Sequence, residues 1–202
     1  MARQLTFDLP SRTSLDRGNF FISQSNEIAV NLIEDWHNWP LQKHFLSGPK
    51  SSGKSHLAHV WAKQSGANIV SADQLNDPQI LASGNLVIEN IDRIVGQIDL
   101  ETHLFHTHNL VFENQRFLLM TGLSSPSNWQ FALPDLASRL GGTRLASLKE
   151  PDDMLFAALL AKLFADRQLS PAPDVIQYLI TRLERSYAAA ELFVQTADQA
   201  AL

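Results

Sequence analysis

Eight consecutive residues constrain this chain more than any others: Gly48-Pro49-Lys50-Ser51-Ser52-Gly53-Lys54-Ser55. The spacing Gly-x4-Gly-Lys-Ser is that of a phosphate-binding loop. Such a loop works only where a strand delivers the chain and a helix carries it away. The glycines let successive backbone N–H groups curl inward toward phosphate oxygens, and the following helix adds the partial positive charge of its N-terminus. Lys54 is the residue to neutralise the β and γ phosphates, and the Ser55 hydroxyl is the one to ligate Mg2+.

The flanking sequence supplies both elements. Lys43–Ser47 reads as a short strand, and Lys54–Gln64 as the helix, with Gly66 as its stop. Upstream, apolar Ile28, Ala29, Leu32 and Ile33 predict a helix over about 26–36, capped by Ser25 or Asn26 and ended before Pro40. Downstream, Asn68–Ser71, Asn85–Glu89 and Arg116–Thr121 read as strands and Leu100–Asn114 as a helix. Strands alternating with helices imply a parallel sheet with helices on both faces, an α/β fold. After about Lys149 the pattern changes to three helices, over 151–166, 174–185 and 187–201. The expected organisation is an extended tail over 1–18, an α/β core over 19–149 and a small all-helical lid over 150–202.

Composition narrows the class. Of 202 residues 45% are hydrophobic, enough for a proper core, and the net charge of −5 argues against a chain built to coat nucleic acid. Cysteine is absent, which removes disulfides, thiolate metal sites and a cysteine nucleophile. The N-terminus lacks the apolar core of a signal peptide. No stretch approaches the ~20 apolar residues of a membrane span. His103, His106 and His108 cluster on the predicted helix without a carboxylate to complete a zinc set, so they read as a solvated face and no zinc site is expected.

The second nucleotide element is Leu86-Val87-Ile88-Glu89-Asn90. An acid ending an apolar strand after the loop is placed to hold Mg2+ through water, which is Glu89's expected role. ATPases of this kind usually carry a second acid next, to polarise the attacking water. Here that position is Asn90, a poor general base. Asp92, two residues on, is expected to point away. Thr121 ends the next strand, either as a sensor of the γ-phosphate or as a satisfied strand terminus. These residues predict nucleotide binding with slow hydrolysis.

With these residues in hand, the chain resembles the DnaA branch of the AAA+ proteins, and within it the DnaA-related regulatory inactivators of replication initiation. Asn19-Phe20-Phe21-Ile22, followed by Ser25-Asn26, is similar to the opening motif of DnaA-type domains. There the backbone meets the adenine, so Phe21 and Ile22 join the expected nucleotide contacts. Gly53 to Val60 resembles the family's loop helix, and Glu89-Asn90-Ile91 its acidic motif with Asn as the second residue. Leu133-Pro134-Asp135-Leu136-Ala137-Ser138-Arg139-Leu140 is similar to the family's box VII. The resemblance makes Arg139 an arginine finger acting on nucleotide held by a neighbouring molecule; without it, a surface ion pair would be the simpler reading. Gln4-Leu5-Thr6-Phe7-Asp8-Leu9 resembles the family's sliding-clamp peptide. The Gln4 amide would form hydrogen bonds while Leu5, Phe7 and Leu9 fill apolar pockets from an extended segment.

Two departures matter. The family places a sensor arginine on a lid helix, where this chain aligns Ala188; whether Arg185, almost one turn earlier, substitutes is left open. DnaA continues into a helix-turn-helix domain, and this chain ends at Leu202 after the lid, so sequence-specific DNA binding is not expected. The resemblance therefore implies a bacterial cytoplasmic regulator with ADP or ATP and Mg2+ as ligands. Its implied partners are the DNA polymerase sliding clamp and DnaA; monomer and homodimer both remain open, and no membrane is involved. Such a protein would act on DnaA-bound ATP and have little or no ATPase of its own. The alternatives are a helicase-loader-type AAA+ ATPase and a non-catalytic adaptor that recruits DnaA.

Overall fold

The computed structural model describes residues 21–75, 78–81 and 83–201. The clamp-like peptide at Gln4–Leu9 and the rest of the expected tail lie outside the described residues. The helices are α1 (Glu27–Glu34), α2 (Lys54–Ser65), α3 (Pro78–Leu81), α4 (Ile98–Glu113), α5 (Pro134–Gly141), α6 (Asp153–Asp166), α7 (Pro173–Arg182) and α8 (Tyr187–Ala201). The strands are β1 (Lys43–Ser47), β2 (Asn68–Ser71), β3 (Leu86–Glu89), β4 (Leu118–Gly122) and β5 (Leu145–Ser147).

All pairings are parallel, in the order β2-β3-β4-β1-β5. The central strands β3, β4 and β1 are buried on both faces, so they read as apolar runs while their side chains alternate in direction. Phe45, Leu86, Ile88, Leu118 and Met120 face one side, where α4 and α5 bring Leu104, Val111, Leu136 and Leu140. Leu46, Val87 and Leu119 face the other, against Ala29, Ile33, Leu57 and Trp61 of α1 and α2. Trp39 stacks on Trp61 with ring centroids 5.0 Å apart and donates its indole N–H to the Leu32 carbonyl, anchoring the turn before β1.

The strands and long helices lie where the alternation predicted them. The pattern did not mark α3, α5 or β5. Pro134 occupies the first turn of α5, where its missing N–H costs nothing. Three helices close the chain around a core of their own, with Phe156, Leu160, Phe164, Leu179 and Val194. The Asp152 carboxylate caps α6 by accepting from Leu155 N at 2.9 Å.

Candidate functional site

The loop from Gly48 to Ser55 leaves the C-terminal end of β1, where α/β sheets bind their ligands. Gly48 is held too closely for any side chain. A Cβ there would sit 2.8 Å from the Leu148 carbonyl oxygen and 2.8 Å from Ser52 Oγ. Gly53, at φ 92°, takes the left-handed turn that starts α2, and Ser51 also lies at positive φ, 64°. Pro49, Lys50 and Ser51 form the crest, with Lys50 and Ser51 exposed. Ser55, on the first turn of α2, is exposed, and its carbonyl accepts from His59.

Lys54 is buried, and its ammonium donates to the Gly48 and Pro49 carbonyls, both at 2.7 Å. Burial holds its pKa below the usual lysine value, opposed by the charges of Asp92 and then Glu89. Asp92 therefore does not point away, contrary to the sequence expectation. Asn90 adopts left-handed φ 60° and ψ 49°, and the chain continues as a 3-10 turn over 91–94. The strand's alternation ends there. Asp92 swings back, accepting from Leu123 N at 3.0 Å just past β4. Thr121 is buried, and its hydroxyl accepts from Asn90 N at 3.2 Å. It fastens the turn that follows Glu89.

Among the buried side-chain oxygens that lack hydrogen-bond partners among the described residues are Ser52 Oγ, in the loop, and Glu89 Oε1, at the end of β3. Buried polar atoms are ordinarily satisfied. A polyphosphate with its cation supplies what both lack, so the residues fit a magnesium-nucleotide. Ser55 and Glu89 would hold the metal between them and the phosphates.

Ile22 and Arg185, expected as nucleotide contact and sensor, line one open cleft of about 660 Å³. Its walls also include Glu27, Asn31 and Asp153, and no loop residue lines it. Phe21 precedes it, its carbonyl accepting from Asn26 Nδ2 at 2.9 Å. Arg185 is ion-paired to Asp153 at 2.7 Å, which ties the start of α6 to the turn before α8. Ala188 is exposed.

Arg139 sits apart from all of these. It lies in the last turn of α5, close before β5, at the N-terminal edge of the sheet. The loop is at the opposite edge, and β1, with five residues, separates them by roughly 16 Å. The guanidinium rests over the Phe105 ring, 5.3 Å from its centroid, and is exposed. Among the described residues it makes no ion pair.

The sequence also gave no sign of two supports on α4. Glu101 is fully buried and accepts from Gly96 N, Ala132 N and Leu133 N at 2.6–3.1 Å, so one carboxylate ties the start of α4 to the start of α5. His108 is buried, not solvated as expected; it shares the inward face with Leu104 and Val111. His103 and His106 are exposed. Burial, then the Lys43 charge, pushes the His108 pKa down to about 4. No group of three potential metal ligands occurs among the described residues, and none of their helices is long and apolar enough to cross a membrane.

No protein-family model matches the chain. The chromosomal replication initiator protein DnaA of Cutibacterium acnes is 23% identical over 161 residues, which cover 69% of this chain and 32% of that protein. The chain thus spans about a third of the length of this curated relative. The replication initiator DnaA bound to AMPPCP and single-stranded DNA matches with a TM-score of 0.72 at 19% identity, over 88% of this chain and 62% of that one. AMPPCP-bound DnaA from Aquifex aeolicus gives 0.70 at 17% identity, over 85% and 61%. Domain III of the Thermotoga maritima DnaA gives 0.71 at 15% identity, over 86% and 82%.

Proposed function

From a chain homologous to DnaA and folded as the DnaA AAA+ domain is, we propose a regulator of the Hda type that acts on DnaA. It binds ADP or ATP with Mg2+ at Gly48–Ser55 and Glu89. It docks on the DNA-loaded sliding clamp through Gln4, Leu5, Phe7 and Leu9. It then presents Arg139 to the ATP held by a neighbouring DnaA. Hydrolysis leaves DnaA bound to ADP and holds back a new round of initiation.

One observation carries this reading: Arg139 is exposed, without an ion pair among the described residues, at the edge of the sheet away from its own loop. A cation so placed is of no use to its own nucleotide and is available to another molecule's. An arginine supplied in trans stabilises charge on the phosphoryl group in flight, worth roughly 10³–10⁵ in rate in GTPase examples. Asn90 in place of a second acid supports weak turnover at the chain's own site.

The test is hydrolysis of ATP pre-bound to DnaA, with and without this protein and DNA-loaded clamp. Acceleration is expected only with both present, and replacing Gln4 and Leu5 with Ala should remove it together with clamp retention. If the protein leaves hydrolysis unchanged with the clamp present, the regulatory reading fails and only the nucleotide site is left standing.

A further inference from the structure

Arg139 is not the only cation at its edge of the sheet. Lys43 opens β1, and its side chain projects to the same face as Phe45, the face covered by α4 and α5. There its Nζ lies 2.9 Å from His108 Nε2. Phe105, which carries the Arg139 guanidinium, and His108, which carries the Lys43 ammonium, are three residues apart on α4 and so neighbours on one face. The helix thus offers two ring rests, one turn apart, each under a cation.

Neither cation has a carboxylate partner among the described residues. Lys43 is half-buried and Arg139 exposed, and a partly buried cation beside a like charge is normally paired, because burial and repulsion both disfavour it. The cost shows in Lys43, whose pKa is lowered by burial and then by the charge of Arg139. The Lys43 amine donates to a neutral imidazole, which orients it without cancelling its charge. Such a pair is complete only with an anion between the two groups, and the anion must come from outside the described fold.

We propose that Lys43 is a second catalytic cation, binding with Arg139 the phosphates of the nucleotide held by the neighbouring DnaA, while Phe105 and His108 are the positioning residues for the pair. This rests on the regulatory reading above. In the hydrolysis, the oxygen of water bonds to the γ-phosphorus as that atom's bond to the β–γ bridging oxygen breaks. The water's proton passes to the released phosphate, and negative charge gathers on the departing ADP oxygens. Two cations fixed in advance stabilise that charge without having to reorganise.

The experiment uses the full chain, DNA-loaded clamp and DnaA carrying ATP. The single-turnover hydrolysis rate is followed as the protein is raised to saturation, for the unaltered chain and for Lys43→Met, Lys43→Arg and Arg139→Ala. Lys43→Met should lower the saturating rate by about 10- to 100-fold. The half-saturating concentration should move less than about threefold, and Lys43→Arg should recover much of the rate, since it keeps the charge. A purely structural lysine would shift half-saturation and thermal midpoint instead, and that pattern overturns the inference. If Arg139→Ala abolishes acceleration but Lys43→Met does not, the inference fails while the regulatory reading survives. If neither variant matters, the regulatory reading itself falls. If Lys43→Met weakens anisotropy-measured binding of a single-stranded oligonucleotide but leaves hydrolysis unchanged, the anion is a nucleic-acid backbone and the inference is overturned.

Discussion

The two ends of the sheet are built on opposite principles. At the C-terminal end, Lys54 has acids of its own chain for company, Asp92 and Glu89, and the backbone around it is shaped by Gly48 and Gly53. At the N-terminal end, Lys43 is hydrogen-bonded to His108 and Arg139 rests over Phe105, and neither has a carboxylate among the described residues. The first end holds the components of a complete ligand site. On the reading proposed above, the second is half of a site that a second molecule completes. In a chain of net charge −5, two neighbouring cations without a carboxylate among the described residues are a local arrangement that the overall charge does not dictate.

The comparison breaks most sharply if the two ends are not separable. Arg139→Ala should lower the clamp-dependent hydrolysis of DnaA-bound ATP by about 10³-fold or more. It should leave this chain's own nucleotide affinity within about twofold. Lys54→Ala should do the reverse to affinity, weakening it by an order of magnitude or more, since a charged contact to phosphate is lost. Calorimetry with ADP and ATP measures both; loss of affinity in Arg139→Ala would join the ends.

Acid should distinguish them next. Burial pushes both His44 and His108 down to about 4, although the Arg144 carbonyl, 3.1 Å from His44 Nδ1, partly offsets this for His44. Both lie toward the N-terminal end of the sheet, the end of Lys43 and Arg139. Their folded pKa values lie below the unfolded value of about 6.5. The stability they contribute is therefore fully present above pH 6.5 and is lost as pH falls from 6.5 toward 4, on the order of 1–3 kcal/mol for each. Urea midpoints between pH 7 and 4 should fall through that window and flatten in a His108→Gln variant.

The smallest effect is expected at Asn90. Its left-handed backbone suits Asn and Gly and disfavours Glu. Asn90→Gly should stay within a few tenths of a kcal/mol in stability, whereas Asn90→Glu should cost about 1 kcal/mol. A Glu that entered without loss, and brought hydrolysis with it, would mean that the turn, not just the side chain, yields easily.

The strand, loop and helix around Gly48–Ser55 are legible in the sequence because their requirements are local: a strand, two glycines, a lysine and a helix in one run. β1 and β2 have the bounds that the apolar runs gave, since turn residues flank them. The box VII segment reads as a motif but not as a helix. α5 has eight residues, and β5 only three with a single buried side chain, too short for any period to register. Asp92 was misplaced because a left-handed residue intervenes and strand alternation does not carry across it. His108 was misread among its neighbours, although Leu104 and Val111 mark the same inward stripe at helical spacing. Lys43 and His108 are 65 residues apart in the chain and meet only through the packing of α4 on β1, so their partnership left no trace in local pattern.

Leu148 follows β5 and packs against Gly48, while its N–H donates to the Ser47 carbonyl at 2.8 Å. The next amide, Lys149 N, donates to the Ser25 carbonyl beside α1, and Pro151 is buried just before α6 begins. The strap from core to lid is thus riveted to the root of the phosphate cradle. Displacing the three-helix bundle would therefore pull on two hydrogen bonds next to the loop, so the bundle and the cradle share one anchorage two residues long.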